Sequence, residues 1–272
     1  MTRYEPSAYW EGLLKDDFDE SGVGYPQLAR SVNRAMYRSM ERSVTDGLET
    51  VVAPSASPQI LDIGSGTGLW IEFWRRWGAT NLTGVDLTAA SVQRLQSRWP
   101  EHDFLQVDVG DANAALPDGN DIVSVMSVLL HIVDEDRFSR SFVNVAAALR
   151  LGGVLVLIDP VVVHRWWGPP FGAEANSKAR PLEDYRAALE SAGLELQLLR
   201  PATVLLANVV DTRTALAFRA LRLYWDLLMR GVGPRELPGA AAAAVLGPTD
   251  RLAMRLARTG PSAKVLIARR VR

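Results

Sequence analysis

A short apolar run that leads into a glycine-rich loop constrains the fold of this chain more than any other feature. Residues 60–63 are three aliphatic side chains and Asp62, and glycines follow at positions 64, 66 and 68. Glycine lets the backbone turn sharply and lets a ligand approach the main chain, and the helix after such a loop offers free N–H groups to an anion. The run therefore predicts a strand, a ligand-binding turn and a helix in succession.

Two further apolar segments each lead to an acidic residue. The segment 81–85 ends at Asp86, and the segment 103–107 ends at Asp108. Open α/β sheets bind their ligands at the carboxyl ends of parallel strands. We therefore expect Asp62, Asp86 and Asp108 to lie at one edge of a sheet, beside the same small nucleotide-like ligand.

The spacing and the charge of these residues favour a cationic ligand over a dinucleotide. The dinucleotide fingerprint G-x-G-x-x-G would place its third glycine at position 69, where this chain has Leu69. A carboxylate at Asp62 would repel a pyrophosphate, whereas it would stabilise an ammonium or sulfonium group. S-adenosylmethionine carries both cations and no phosphate. It is therefore the expected cofactor, and an NAD(P)-dependent oxidoreductase is the less favoured alternative.

Several motifs, in order, resemble those of the class I S-adenosylmethionine-dependent methyltransferases. LDIGSGTG looks like their motif I, VDLT like their acidic strand end, VDVGD like their adenine-side turn and LRLGGVLVLID like their fifth-strand region. The resemblance covers roughly residues 56–200. It implies that Asp62 lies near the methionine amino group, that Asp86 accepts from both ribose hydroxyls and that Asp108 lies by the adenine amino group. The expected cofactor-binding residues are Tyr25, Asp62, Gly64, Ser65, Gly66, Gly68, Asp86, Leu87, Asp108, Val109 and Met126.

Predicted strands and helices alternate through the middle of the chain, which is typical of a mostly parallel α/β sheet with right-handed crossovers. We expect a doubly wound, Rossmann-like sheet of about seven strands, and the resemblance implies that the last strand is antiparallel. The expected parts are an N-terminal helical cap at 1–55, a core at 56–201 completed by 262–272, and a helical insertion at 202–261. The insertion departs from the family's pattern, which has a hairpin there. We interpret it as a lid, with a packing or dimerisation element as the alternative.

A basic ridge runs along the predicted helix before the core. Arg30, Arg34, Arg38 and Arg42 recur every four residues, a spacing at which like charges repel by a few tenths of a kcal/mol per pair. Compensation could come from water and the acidic segment 16–20, or from an anionic group on the cofactor or substrate. Both interpretations stay open at this point.

Composition narrows the class of function. The chain has 272 residues, 48% of them hydrophobic, which suffices for one α/β domain and an accessory element. A formal net charge of −1 gives no reason to expect nucleic acid. Without cysteine there are no thiolate metal sites, and the fourth strand lacks the acid of metal-dependent methylation, so we expect no metal. No signal peptide or apolar run of membrane-spanning length is evident, so we expect a cytoplasmic protein with no membrane partner.

Candidates for the chemistry follow the fourth and fifth predicted strands. Methyl transfer from a sulfonium is an in-line displacement, so the protein aligns the acceptor and, for oxygen or nitrogen, removes a proton. His131 follows the fourth strand, and Asp159 and His164 follow the fifth. We name these three as catalytic candidates, with Asp159 and His164 as a base pair or substrate anchors. A structural role is the alternative for His131.

Aromatic residues complete the expected site. Trp166, Trp167 and Phe171 would line an aromatic wall, while Tyr9, Trp10 and Tyr25 would close over the cofactor or dock the N-terminal helices. We expect methyl transfer to a small molecule of specialised metabolism, with O- or N-methylation favoured over C-methylation. The alternative is a protein that binds S-adenosylmethionine without turnover. The sequence does not indicate which oligomeric state the protein has.

Overall fold

The computed structural model describes residues 5–16, 18, 24–52, 57–168 and 176–272. Phe171 lies outside the described residues, as do three members of the acidic segment, Asp17, Asp19 and Glu20.

One seven-stranded sheet runs through the described residues in the order β3-β2-β1-β4-β5-β7-β6. Strand β7 is antiparallel to both β5 and β6, and the pairs β1–β2, β1–β4, β2–β3 and β4–β5 are parallel. The predicted Rossmann-like sheet with an antiparallel last strand is therefore confirmed. The strands are β1 Gln59–Ile63, β2 Asn81–Asp86, β3 Asp103–Gln106, β4 Asn120–Met126, β5 Leu149–Asp159, β6 Leu194–Pro201 and β7 Lys264–Arg270.

Helices cover both faces of this sheet, as a doubly wound fold requires. They are α1 Pro6–Asp16, α2 Arg30–Val51, α3 Leu69–Trp77, α4 Ala89–Arg98, α5 Glu135–Ala148, α6 Leu182–Ser191, α7 Ala215–Arg230 and α8 Glu236–Leu256. A short 3-10 helix, Leu129–His131, follows β4.

The central strands consist almost entirely of buried side chains because successive residues point to opposite faces of the sheet. In β1, Ile60 packs in the apolar core beneath α2 and α3, and Leu61 packs in the core beneath α5 and α6. In β4, Ile122 packs in the first of these cores and Val123 packs in the second. Both cores hold the carboxyl ends of the parallel strands in a fixed register.

The insertion at 202–261 supplies α7 and α8. Helix α8 packs against α2, and only Trp225 and Leu228 of α7 are buried. Leu216, Leu223 and Leu227 of α7 are exposed. In the part of the chain that the structure describes, no helix combines the length and apolar character needed to cross a membrane.

Candidate functional site

A cavity of about 600 Å³ opens where the carboxyl ends of the parallel strands meet. Its walls come from the glycine loop after β1, from the ends of β2, β3 and β4, and from α1, α2 and α5. Nine of the predicted site residues line it: Gly64, Ser65, Gly66, Asp86, Leu87, Asp108, Val109, Met126 and His131. No described residue of the insertion at 202–261 does so, and its lid role stays a prediction.

The glycine loop needs its glycines for conformation and for packing. Gly64 has φ 75°, and a Cβ there would lie 2.2 Å from Cγ2 of Val128. Gly68 has φ 83° and caps α3, and its Cβ would lie 2.4 Å from the ring of Trp99. Gly68 is not among the cavity residues. Its predicted cofactor contact stays a prediction, and in the structure this glycine allows a close approach between the loop and Trp99.

Asp86 joins the glycine loop to the end of β2. Its Oδ2 accepts from the Gly66 N–H at 2.8 Å, and its Oδ1 accepts from the N–H and the hydroxyl of Thr88 at 2.9 and 2.7 Å. Burial raises the pKa of Asp86, and the hydrogen bonds from Thr88 and Gly66 oppose that shift. An ionised carboxylate offers about four acceptor positions, so Asp86 retains acceptor capacity toward the cavity that it lines.

Asp62 lies beneath the loop and is 1% exposed. The Ser124 hydroxyl donates to its Oδ1, whereas its Oδ2 has no hydrogen-bond partner among the described residues. Burial raises the pKa of Asp62 to about 7, although the hydrogen bond from Ser124 opposes the shift. The residue is next to the cavity rather than on its wall. An unpartnered buried oxygen is costly unless a donor reaches it, and a ligand ammonium would be such a donor.

Asp108 already has partners within the protein. The Arg137 guanidinium donates to its Oδ2, and the Gly110 N–H donates to its Oδ1 at 2.9 Å. Both Asp108 and Arg137 line the cavity. Sequence reasoning missed Arg137, although it lies in the first turn of α5, directly after the loop that follows β4. Such a position faces the sheet edge where ligands bind.

Tyr25 does not line the cavity, and its predicted contact with the cofactor stays a prediction. Its ring packs edge-on against Trp225 with centroids 4.9 Å apart, and its hydroxyl accepts from the Asn208 N–H at 3.2 Å. Tyr25 thus docks α7 onto the chain before α2. Trp10 of α1 lines the cavity instead, with its ring edge-on to His131 at 4.8 Å.

The three predicted catalytic residues lie in separate places. His131 lines the cavity, and its Nδ1 is 2.7 Å from the Asn176 carbonyl oxygen. A carbonyl only accepts, so Nδ1 carries a proton, and in the neutral ring Nε2 then has none. Burial lowers the pKa of His131, which favours this neutral form.

Asp159 and His164 do not form the predicted base pair. Asp159 is buried behind the cavity wall, where it accepts from the Tyr185 hydroxyl at 2.8 Å, and burial raises its pKa to about 7. His164 is exposed, and its Nε2 is 3.2 Å from the Thr259 hydroxyl. Strand β5 directs Asp159 toward α6, whereas the chain beyond the strand carries His164 toward the insertion. Neither residue lines the cavity.

The predicted aromatic wall also faces the insertion. The Trp167 Nε1 donates to the Thr212 carbonyl at 3.0 Å, and the Trp166 ring lies 6.4 Å from that of Phe218 in α7. Neither tryptophan lines the cavity. We therefore assign this pair to packing of the segment after β5.

Ser127 is a cavity residue that sequence reasoning missed. It has φ 59°, although it is not glycine, and its N–H donates to the Ile158 carbonyl at 2.7 Å. Strained backbone of this kind clusters at functional sites. No feature of the sequence indicates this conformation.

Comparison with known proteins supports the architecture. Residues 60–153 match a family described as a methyltransferase domain. This stretch of the chain therefore forms part of a methyltransferase domain. It is similar to a trans-aconitate 2-methyltransferase of Rhodopseudomonas palustris (strain BisB18), with 32% identity over 103 residues. That match covers 38% of this chain and 38% of the relative. The chain thus matches well under half the length of this curated relative.

Solved structures share the fold of the domain. A geranyl diphosphate methyltransferase in complex with GPP and sinefungin superposes with a TM-score of 0.51 and 16% identity, covering 85% of this chain and 78% of its own. The [4+2]-cyclase SpnF superposes with a TM-score of 0.51 and 20% identity, covering 85% and 80%. The second case shows that the fold alone does not decide the reaction.

The residues of the methyltransferase domain fit S-adenosylmethionine. The unpartnered Oδ2 of Asp62 matches an ammonium donor, and the remaining acceptor capacity of Asp86 matches a hydroxyl. Asp108 can share an oxygen with an exocyclic amine while it holds Arg137. The cofactor itself supplies the reactive methyl group on a sulfonium.

Proposed function

We propose that this protein transfers a methyl group from S-adenosylmethionine to a small-molecule acceptor, at oxygen or nitrogen and without a metal ion. The observation that carries the proposal is the pair of acceptors on either side of the glycine loop. Asp62 keeps a buried oxygen unpartnered, and Asp86 holds the loop N–H while it lines the cavity. A cytoplasmic location and a role in specialised metabolism are part of the proposal.

His131 is the group that we propose to accept the acceptor's proton. The Asn176 carbonyl fixes the proton on Nδ1, and Nε2 is then the basic nitrogen of a residue on the cavity wall. A lowered pKa keeps this nitrogen unprotonated at neutral pH. Trp10 packs edge-on against the same ring and would restrict water around it.

Metal-independent transfer remains part of the proposal. Among the described residues, no group of three or more His, Cys, Asp or Glu could hold a metal ion. Asp86 and Asp108 are both engaged with donors of the protein. The proposed chemistry therefore relies on alignment and on one base.

Calorimetry and turnover together test the proposal. We expect S-adenosylhomocysteine to bind at micromolar strength or better and NADH to give no heat. Incubation with S-adenosylmethionine and a panel of alcohols, phenols and amines should yield S-adenosylhomocysteine above background, and His131→Gln should lower kcat by about 100-fold, as loss of a general base does.

Two outcomes would contradict parts of the proposal. Tight binding of NADH with none of S-adenosylhomocysteine would point to the oxidoreductase alternative. Binding without turnover on any acceptor would favour the second candidate function, a protein that binds the cofactor without catalysis. His102→Gln is the matched control, because that histidine immediately precedes β3 and does not line the cavity.

A further inference from the structure

The cavity wall holds few positive charges. Its described residues include two basic side chains, Arg137 and His131, against four acidic ones. The acidic residues are Glu5, Asp86, Asp108 and Asp134. Even with the ammonium and sulfonium of the cofactor in place, these carboxylates leave the cavity without surplus positive charge.

Neither basic residue offers an uncompensated positive charge to an anionic ligand. The Arg137 guanidinium pairs with Asp108, which is 29% exposed in its side chain and lines the same wall. His131 donates its Nδ1 proton to the Asn176 carbonyl, and burial lowers its pKa, so the ring is neutral. A carboxylate on the acceptor would therefore lose water without meeting an uncompensated cationic side chain of the protein, which is unfavourable.

Cations elsewhere in the described chain do not reach the wall. Arg30, Arg34 and Arg38 of the α2 ridge are exposed, and none of the three lines the cavity. Arg180 is buried behind it, with its guanidinium bound to Glu135. The segments outside the described residues contain one basic residue, Arg3, and four acidic ones, Asp17, Asp19, Glu20 and Glu174.

The part of the wall built by the N-terminal helices is apolar and aromatic. Trp10 and Leu14 come from α1, and Tyr37 and Met40 come from α2. Trp70 of α3 and Ile132 lie on the same wall. Apolar surface is removed from water favourably, so such a wall selects an acceptor with an apolar body.

We infer that the methyl acceptor is a largely apolar molecule without negative charge, an aromatic or aliphatic alcohol or amine, and not a carboxylate. This inference rests on the proposed methyltransferase function. It separates this chain from the trans-aconitate methyltransferases to which it is similar, since their named substrate is a polycarboxylate. Similarity over 103 residues, 38% of this chain, does not show that the two proteins share the charge of their acceptors.

Matched acceptors that differ only in charge test the inference. The full chain is incubated with S-adenosylmethionine and, in parallel, with 4-methylphenol and 4-hydroxybenzoate, with benzylamine and 4-(aminomethyl)benzoate, and with trans-aconitate. S-adenosylhomocysteine release gives kcat/KM. We expect kcat/KM for each acceptor without a carboxylate to exceed that of its carboxylate partner at least tenfold. Trans-aconitate should give no product. The inference is overturned if the carboxylates give equal or higher kcat/KM, or if no acceptor without a carboxylate reacts.

Added positive charge should reverse the preference. Val133 and Ser7 both line the cavity, and Ser7 is exposed. Val133→Lys, or Ser7→Lys if the first variant folds poorly, should raise relative activity on the carboxylate members about tenfold. Val143→Lys is the matched control, because Val143 is 51% exposed on α5 and outside the cavity wall. An unchanged preference in both cavity variants would count against the inference.

Binding separates failure of the inference from failure of the proposed function. Calorimetry with S-adenosylhomocysteine is performed first on the same preparation. If this compound does not bind, the proposed function is wrong. If it binds and the carboxylate acceptors are methylated as well as the neutral ones, the proposed function stands and only the acceptor class is wrong.

Discussion

Arg137 donates to Asp108 across the cavity wall and joins the first turn of α5 to the loop after β3. The carboxylate that the family resemblance predicts to lie beside the adenine amino group is thus held in position by a donor of the protein. Its second oxygen accepts from the Gly110 N–H at 2.9 Å. A ligand amine must share one of these oxygens, which a carboxylate permits because each oxygen has two lone pairs.

Removal of Asp108 should weaken cofactor binding more than removal of Arg137. In Asp108→Ala, the ligand loses a charge-assisted hydrogen bond of about 1.5 kcal/mol, so we expect calorimetry to show roughly tenfold weaker binding of S-adenosylhomocysteine. In Arg137→Ala, Gly110 still holds Asp108, and the expected loss is about threefold. Arg186→Ala, an exposed arginine on α6, is the control. A larger loss in Arg137→Ala would contradict this assignment.

Asp86 should affect both binding and stability. Asp86→Ala removes the acceptor for the Gly66 N–H and for Thr88. We therefore expect the free energy of unfolding, measured by urea titration, to fall by about 1–3 kcal/mol. Binding of S-adenosylhomocysteine should weaken by more than tenfold, because the ligand also loses its acceptor. Asp103→Ala changes a carboxylate at the opposite end of the neighbouring strand and should leave both quantities near wild type. Unaltered affinity in Asp86→Ala would argue against the proposed site.

The sheet and the acidic positions could be predicted from local patterns. A strand buried on both faces appears as an unbroken apolar run, and parallel strands end at one edge of the sheet. Asp86 ends β2 and Asp108 follows β3, so their arrival at the same cavity required no knowledge of distant packing. Gly64 likewise has a positive φ that its loop sequence indicates.

Residues that depend on tertiary packing could not be predicted. Tyr25 packs on Trp225, 200 positions along the chain, and no local pattern encodes that pairing. Asp159 follows β5 and resembles the other strand-end acids, but its side chain reaches Tyr185 of α6 instead of the cavity. Trp10 reaches the cavity because α1 packs against α4, a contact between segments about 80 residues apart.

Binding of the cofactor should become stronger as the pH rises through neutrality. Burial raises the pKa of Asp62 to about 7, so at pH 6 its carboxyl is mostly protonated and must release a proton to pair with an ammonium. Linkage then predicts roughly tenfold tighter binding of S-adenosylhomocysteine at pH 8 than at pH 6. The same shift makes the folded state hold a proton that the unfolded chain releases above about pH 4, so Asp62 lowers stability as the pH rises from 4 to 7.

Asp62→Asn isolates this effect from other titrating groups. Asp159 also has a pKa of about 7, and His131 is a titratable residue on the cavity wall. Because both remain in the variant, any pH dependence that they cause would remain as well. We expect calorimetry of Asp62→Asn to show weaker binding and almost no change between pH 6 and pH 8. A pH dependence equal to that of the unsubstituted chain would assign the proton to another group.

Tyr185→Phe tests whether Asp159 is structural or catalytic. The substitution leaves the Asp159 Oδ2 without its 2.8 Å donor, and the Leu130 N–H at 3.4 Å remains on Oδ1. Loss of a hydrogen bond to a buried carboxyl should lower the free energy of unfolding by about 1–3 kcal/mol. The deficit should be larger at pH 8 than at pH 6, because the Tyr185 hydroxyl stabilises the ionised form of a group whose pKa is about 7.

Tyr185→Phe should leave ligand binding in the cavity unchanged. Neither Tyr185 nor Asp159 lines it, so at 25 °C the folded variant should bind S-adenosylhomocysteine as the unsubstituted chain does. Urea titrations at both pH values measure the stability term, and calorimetry measures the binding term. If stability were unchanged while kcat fell, Asp159 would act in the reaction, because only a proton-transfer role would make turnover depend on its hydrogen bond without a matching loss of folding free energy.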